Sequence, residues 1–141
     1  MLRLTLLSIC LLGLLSCSSP SKALEKGRSK KAIRLAKSDL RKNKNITENI
    51  TILNVAAHDE IDKVLASNTN KLSSPEVKDW IKVQNNYFGL LENIGEANQL
   101  SNGEVSEPYD RLCEHKTELD YKIADHYYQE GEEQLLSLIH I

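Results

Sequence analysis

Proline occurs at only three positions in this chain, Pro20, Pro75 and Pro108, and glycine at only six. These two residues let a backbone turn sharply, and an all-β fold with many tight turns needs far more of them. The long stretches between them suit helices. Within those stretches apolar residues recur at three- and four-residue spacing, and nothing alternates with period two. The fold class expected is all-α, built as antiparallel helix pairs. Aromatic residues make up 5% of the chain and charged residues 27%, so a core must be made mostly of Leu, Ile, Val and Ala.

Taken in order, Ala32, Ile33, Ala36 and Leu40 share one helix face, and Gly27 before them reads as a turn between two helical pieces. Asn45-Ile46-Thr47-Glu48 has the form of a capping box. The helix it opens would place Ile46, Ile50, Leu53, Ala57, Ile61, Val64 and Leu65 inward and end near Ser67, where Asn68-Thr69-Asn70-Lys71 reads as a loop. Ser74 as N-cap and Pro75 at the first position start another helix. Its expected stripe is Val77, Ile81, Phe88, Leu91 and Ile94, with Trp80 and Tyr87 on the flank. That helix should fade from Gly95 to Asn98, with a turn over Leu100–Ser106. Pro108 starts the last helix, with Leu112, Cys113 or Lys116, Leu119, Ile123 and Tyr127 inward.

Residues 1–16 have a different character. Arg3 precedes an apolar run from Leu4 to Leu15, and Ser18, Ser19, Pro20 and Ser21 follow it. That order is a secretory signal, and a run of about a dozen apolar residues falls short of the roughly 20 a spanning helix needs. Leu14-Leu15-Ser16-Cys17 resembles the bacterial lipobox. The resemblance implies cleavage between Ser16 and Cys17, lipid on the Cys17 thiol and an acylated amine. Ser18, rather than Asp, after the cysteine implies passage to the outer membrane, facing the periplasm. A polar tether over 17–22 and a helical domain over 23–136 are expected to follow. Cys10 would leave with the signal and Cys17 would carry lipid, so Cys113 has no partner for an internal disulfide.

The net charge is −2, but the signs are segregated. Lys22–Lys44 carries ten Lys/Arg and two acids, a balance of +8, and the chain from Ile46 onward has a balance of −11. A basic stretch beside a lipid anchor is drawn to anionic headgroups by about 1 kcal/mol per cation. Nucleic acid, the other common partner of basic stretches, is not expected for an exported, tethered chain.

Gly27, Ala32, Ile33 and Leu40 resemble the tetratricopeptide repeat, a two-helix unit of about 34 residues. Ile123–Gly131 resembles the start of a second unit, with Ala124 as the small packing residue, Tyr127 and Tyr128 as the aromatics and Gly131 as the turn glycine. The order of features is similar to tetratricopeptide-type lipoproteins of Gram-negative bacteria. It implies stacked helix pairs whose surface holds peptides or partner subunits. The second unit would lack its partner helix, since Ser137–Ile141 does not continue the pattern and reads as a non-native tail on a truncated domain. Tyr127, Leu135 and Leu136 should then be poorly covered.

Chemistry is sparsely represented. Cys113 and His115 are two apart, pointing roughly 200° apart on a helix, and His126 lies farther on, so neither a nucleophile pair nor a metal site is expected. Asp59, Glu60 and Asp62 beside His58 read as a solvated face. No phosphate loop or nucleophile elbow occurs. The chain is therefore expected to be a binding protein, not an enzyme, with no metal or cofactor. Trp80, Tyr87, Tyr127 and Tyr128 are its candidate contact residues, since aromatics are enriched at binding centres. The alternative is a structural subunit or spacer of an outer-membrane complex.

Overall fold

The first residue described is Ser19. Its hydroxyl accepts a bond from the Lys22 amide at 3.3 Å, capping a short helix that Pro20 begins. The computed structural model describes residues 19–139, the side chain of Leu138 excepted. The expected signal segment 1–16, the expected cleavage and lipidation residues Ser16 and Cys17, and the last two residues lie outside them.

Five helices and no strand occur among the described residues: α1 (Pro20–Glu25), α2 (Ser29–Leu40), α3 (Ile46–Leu72), α4 (Val77–Leu100) and α5 (Ser106–Ile139). The turn between α1 and α2 uses Gly27 at φ +64°, a left-handed conformation that favours glycine. Cross-helix bonds give the directions. Lys63 of α3 reaches the Gly27 carbonyl at 3.0 Å, while Asn49 reaches the Lys44 carbonyl at 2.9 Å, so α2 and α3 are antiparallel. Asn86 of α4 bonds Asn68 of α3, and Gln84 of α4 bonds Asp120 of α5, continuing the alternation. With each helix antiparallel to the next, α2 runs parallel to α4 and α3 to α5; Lys37 bonds the Asn93 carbonyl and Arg111 bonds Asp62 across these pairs. Helices α2 and α5 do not touch. The helices therefore form an open row, not a closed bundle.

The core runs the length of the row. Ala32 and Ala36 on α2 and Ala56 and Ala57 on α3 are buried. Small side chains on these two helices allow a close approach. Gly95 on α4 serves a similar end, because a Cβ there would sit 3.1 Å from the Tyr109 ring of α5.

Several local expectations are corrected. Pro20–Lys22, expected within a polar tether, begin α1. Asn45 does not cap α3; it is left-handed at φ +42° with no side-chain cap bond, a conformation asparagine tolerates. Helix α3 continues past Ser67 to Leu72. The Asn68 amide bonds the Val64 carbonyl at 2.8 Å and the Thr69 hydroxyl the Leu65 carbonyl at 3.2 Å, so the polar run is satisfied within the helix. Helix α4 likewise passes through Gly95–Asn98 to Leu100. Its buried positions are Trp80, Val83, Tyr87, Leu90, Ile94 and Ala97, whereas Phe88 is exposed. Gly131 makes no turn, and α5 runs through it to Ile139. Ile46, expected inward, is exposed.

Two carboxylates tie local structure to acid stability. The Lys63 ammonium and then the Ser29 hydroxyl hold the Asp59 carboxyl below its usual range. Lys82 and then Ser74 do the same for Asp79. A depressed folded-state pKa contributes stability above the unfolded value, about 4, and that contribution is lost as pH falls through the folded value. Thermal melts should therefore show a lower Tm at pH 3 than at pH 6, and Asp59→Asn should flatten part of that difference. Equal slopes for the two proteins would sink the assignment to Asp59.

Candidate functional site

Helix α5 is the longest element, at 34 residues, against 24 for its antiparallel neighbour α4. The two part company where α4 begins. There the Trp80 indole N–H donates to the Ser74 carbonyl at 2.8 Å, and the Lys122 ammonium sits 4.0 Å from the Trp80 ring centroid. The His126 ring meets Trp80 edge-on at 5.6 Å. Lys122 also donates to the Leu72 carbonyl at 2.8 Å, closing the end of α3. Beyond His126, thirteen residues of α5 extend about 20 Å at 1.5 Å per residue.

This overhang is unusually apolar for an exposed helix. Tyr127 is 51% exposed and Tyr128 65%, with Leu135, Leu136 and Ile139 exposed as well. Tyr121, Tyr128 and Leu135 are seven residues apart and Ile139 lies four further, so all four fall on one side of the helix. The remaining charged residues of this stretch are acidic: Asp125, Glu130, Glu132 and Glu133 are present, and no Lys or Arg lies between Lys122 and Ile139. An apolar stripe edged by acids can seat an apolar surface edged by cations.

The four aromatic candidates separate into two pairs. Tyr127 and Tyr128 stand on the overhang. Trp80 (9% exposed) and Tyr87 (1%) are core residues and present no surface to a partner. Trp80 anchors the base of the overhang, and Tyr87 is enclosed in the core, where burial and then Glu118 of α5 push its phenol pKa up. Tyr127, Leu135 and Leu136 are poorly covered, as expected from the sequence; Tyr121 and Ile139 complete the stripe and carry no such expectation, although the seven-residue spacing of Tyr121, Tyr128 and Leu135 marks it.

The reactive residues are dispersed. Cys113 is half-buried and free, His115 reaches Glu118 at 3.9 Å, and His58 reaches Glu107 at 2.5 Å. Asp59 and Asp62 are spent on Lys63 and Arg111. Among the described residues no three His, Cys, Asp or Glu side chains gather as metal ligands, and no helix is long and apolar enough to cross a membrane. No family model, curated protein or solved structure matches this chain.

Proposed function

We propose that this chain is a lipid-anchored helical module that holds a protein partner at the periplasmic face of a bacterial outer membrane. The anchor in this reading is Cys17, and the observation that carries the binding role is the α5 overhang. A helix face with this much apolar exposure marks an interaction site. The open row of helices supports a repeat-like reading of the fold, because such rows bury a core between neighbours and leave their ends free to accept more. The basic α1–α2 segment supports the location: Lys22, Lys26, Arg28, Arg34, Lys42 and Lys44 are exposed and form no ion pair among the described residues.

The test is capture from envelopes with the full-length lipidated protein. Tyr128→Ala combined with Leu135→Asp should reduce recovery of the partner at least tenfold, with the Tm nearly unchanged, because exposed positions contribute within about 0.5 kcal/mol to stability. Recovery at the original level would overturn the overhang as the contact surface. The apolar character of the stripe also favours a second reading, a permanent subunit of an envelope complex, since obligate interfaces are more apolar than transient ones. Stoichiometric co-purification that survives dilution identifies that case.

A further inference from the structure

A concave site distinct from the overhang lies between α2, α3 and α4, and no residue of α5 lines it. Helices α2 and α4 run parallel above α3 and are pinned together at one end. There the Lys37 ammonium bonds the Asn93 side chain, its carbonyl at 3.3 Å and Glu96 at 2.8 Å, and Arg41 adds a second bond to Glu96. Beside the pinned end is a cleft of about 390 Å³ lined by all three helices.

Its lining is unusual in three respects. Glu60 of α3 is a carboxylate whose side chain is only 7% exposed, and its one ionic partner among the described residues is Lys30 at 3.3 Å. Lys30 is itself 77% exposed, a flexible cation held at one atom. A buried carboxylate is costly without a well-placed counter-charge, so Glu60 is poised for a better one. Along α4, Asn86 and Asn93 are seven residues apart and line the same wall. Among the described residues, Asn86 gives its NH₂ to Asn68 at 3.2 Å and its carbonyl oxygen has no partner, while Asn93 accepts from Lys37 through its oxygen and its NH₂ has no partner. The wall therefore offers one free acceptor and one free donor, the pair a peptide backbone requires. Between them Gly89 leaves the helix surface bare, and a Cβ built there meets nothing within 4 Å.

We propose that this cleft binds an extended peptide segment through one arginine or lysine side chain. The cation displaces Lys30 and pairs with Glu60, while the segment's backbone lies over Gly89 and bonds the Asn86 oxygen and the Asn93 NH₂. A planar guanidinium fits a carboxylate through two parallel bonds, which favours arginine. This site is independent of the lipid tether and of the α5 stripe, so the failure of either leaves it standing.

The experiment is calorimetric titration of the full-length chain in detergent with an acetylated, amidated pentapeptide carrying a central arginine. The citrulline counterpart, of equal shape but uncharged, and free agmatine are the controls. The arginine peptide should bind at least tenfold more tightly than either, consistent with a charged hydrogen bond. Glu60→Gln should abolish the preference over citrulline. Lys30→Ala, at an exposed position that does not threaten folding, should tighten binding by about twofold to fivefold by removing the competing cation. Gly89→Leu should block the peptide while leaving the melting temperature the same or higher, because leucine is the better helix former. Equal affinity for arginine and citrulline peptides, or no binding of either, overturns the proposal. Agmatine binding as tightly as the peptide overturns its peptide part and assigns the cleft to free amines.

Discussion

Replacing Tyr87 by alanine is expected to destabilise the folded chain by about 3–5 kcal/mol. Tyr87 is the largest of the fully enclosed side chains. It lies midway along α4, and Glu118 of α5 is near enough to act on its phenol. Truncation removes the ring's burial and leaves a cavity that two long helices cannot collapse to fill. Domains of this size have total stabilities of about 5–15 kcal/mol, so the variant should lose a large share of its margin, and its Tm should fall by about 10–20 °C. Tyr87→Phe keeps the ring and removes a hydroxyl with no hydrogen bond among the described residues, so it should cost far less, under about 1 kcal/mol. Thermal melts followed by circular dichroism check both. A Tyr87→Ala protein that melts with the parent would mean that α4 does not present this face to the core.

The second large effect concerns location. With Cys17→Ala, carried behind an ordinary cleavable secretory signal so that export proceeds, the protein is expected to move from the membrane fraction to the soluble periplasmic fraction. Each buried methylene contributes about 0.8 kcal/mol to anchoring, and stable attachment needs two chains or one chain plus a basic patch. Without lipid only the exposed cations of α1 and α2 remain. Their attraction to headgroups is about 1 kcal/mol each and decays within a Debye length. A high-salt wash should therefore strip the variant from membranes and leave the parent in place. Mass spectrometry of the parent's mature amino terminus provides the direct measurement. An unmodified terminus would remove the tether, the location and the proposed role together, though not the cleft beside Glu60.

In α4 the periodicity of the sequence points to a different inward face from the one that is buried. Apolar residues occur there in adjacent pairs, Trp80-Ile81, Tyr87-Phe88 and Leu90-Leu91. Neighbours on a helix are separated by about 100°, so the apolar arc is wide enough to contain two candidate stripes. Whether Tyr87 or Phe88 turns inward depends on where α3 and α5 sit, and helical periodicity carries no information about that. The ends of α3 and α4 were shortened for a related reason. Asn68, Thr69 and Gly95 have low helix propensity, but Asn68 finds partners in Val64 and Asn86, and Gly95 admits the Tyr109 ring. Contacts made across the fold outweigh differences of under about 1 kcal/mol per residue.

The candidate surfaces divide in the same way. Tyr127 and Tyr128 are legible as adjacent aromatics late in the last helix, a residue type enriched at binding centres. The cleft is not. Its members Lys30, Glu60, Asn86 and Asn93 come from three helices, and the one local clue is an acid, Glu60, set beside the buried Ala57 and Ile61.

By itself the sequence determined that the chain is helical, because rare proline and glycine and a three-to-four-residue apolar rhythm admit little else. It also determined where most turns fall and that positive charge gathers near the amino terminus. Only the tertiary structure decided which side of α4 is buried, that α5 projects beyond its neighbours, and that Glu60 is enclosed under an exposed lysine. Those outcomes follow from the relative placement of whole helices, and burial is a property of that placement, not of any segment read alone.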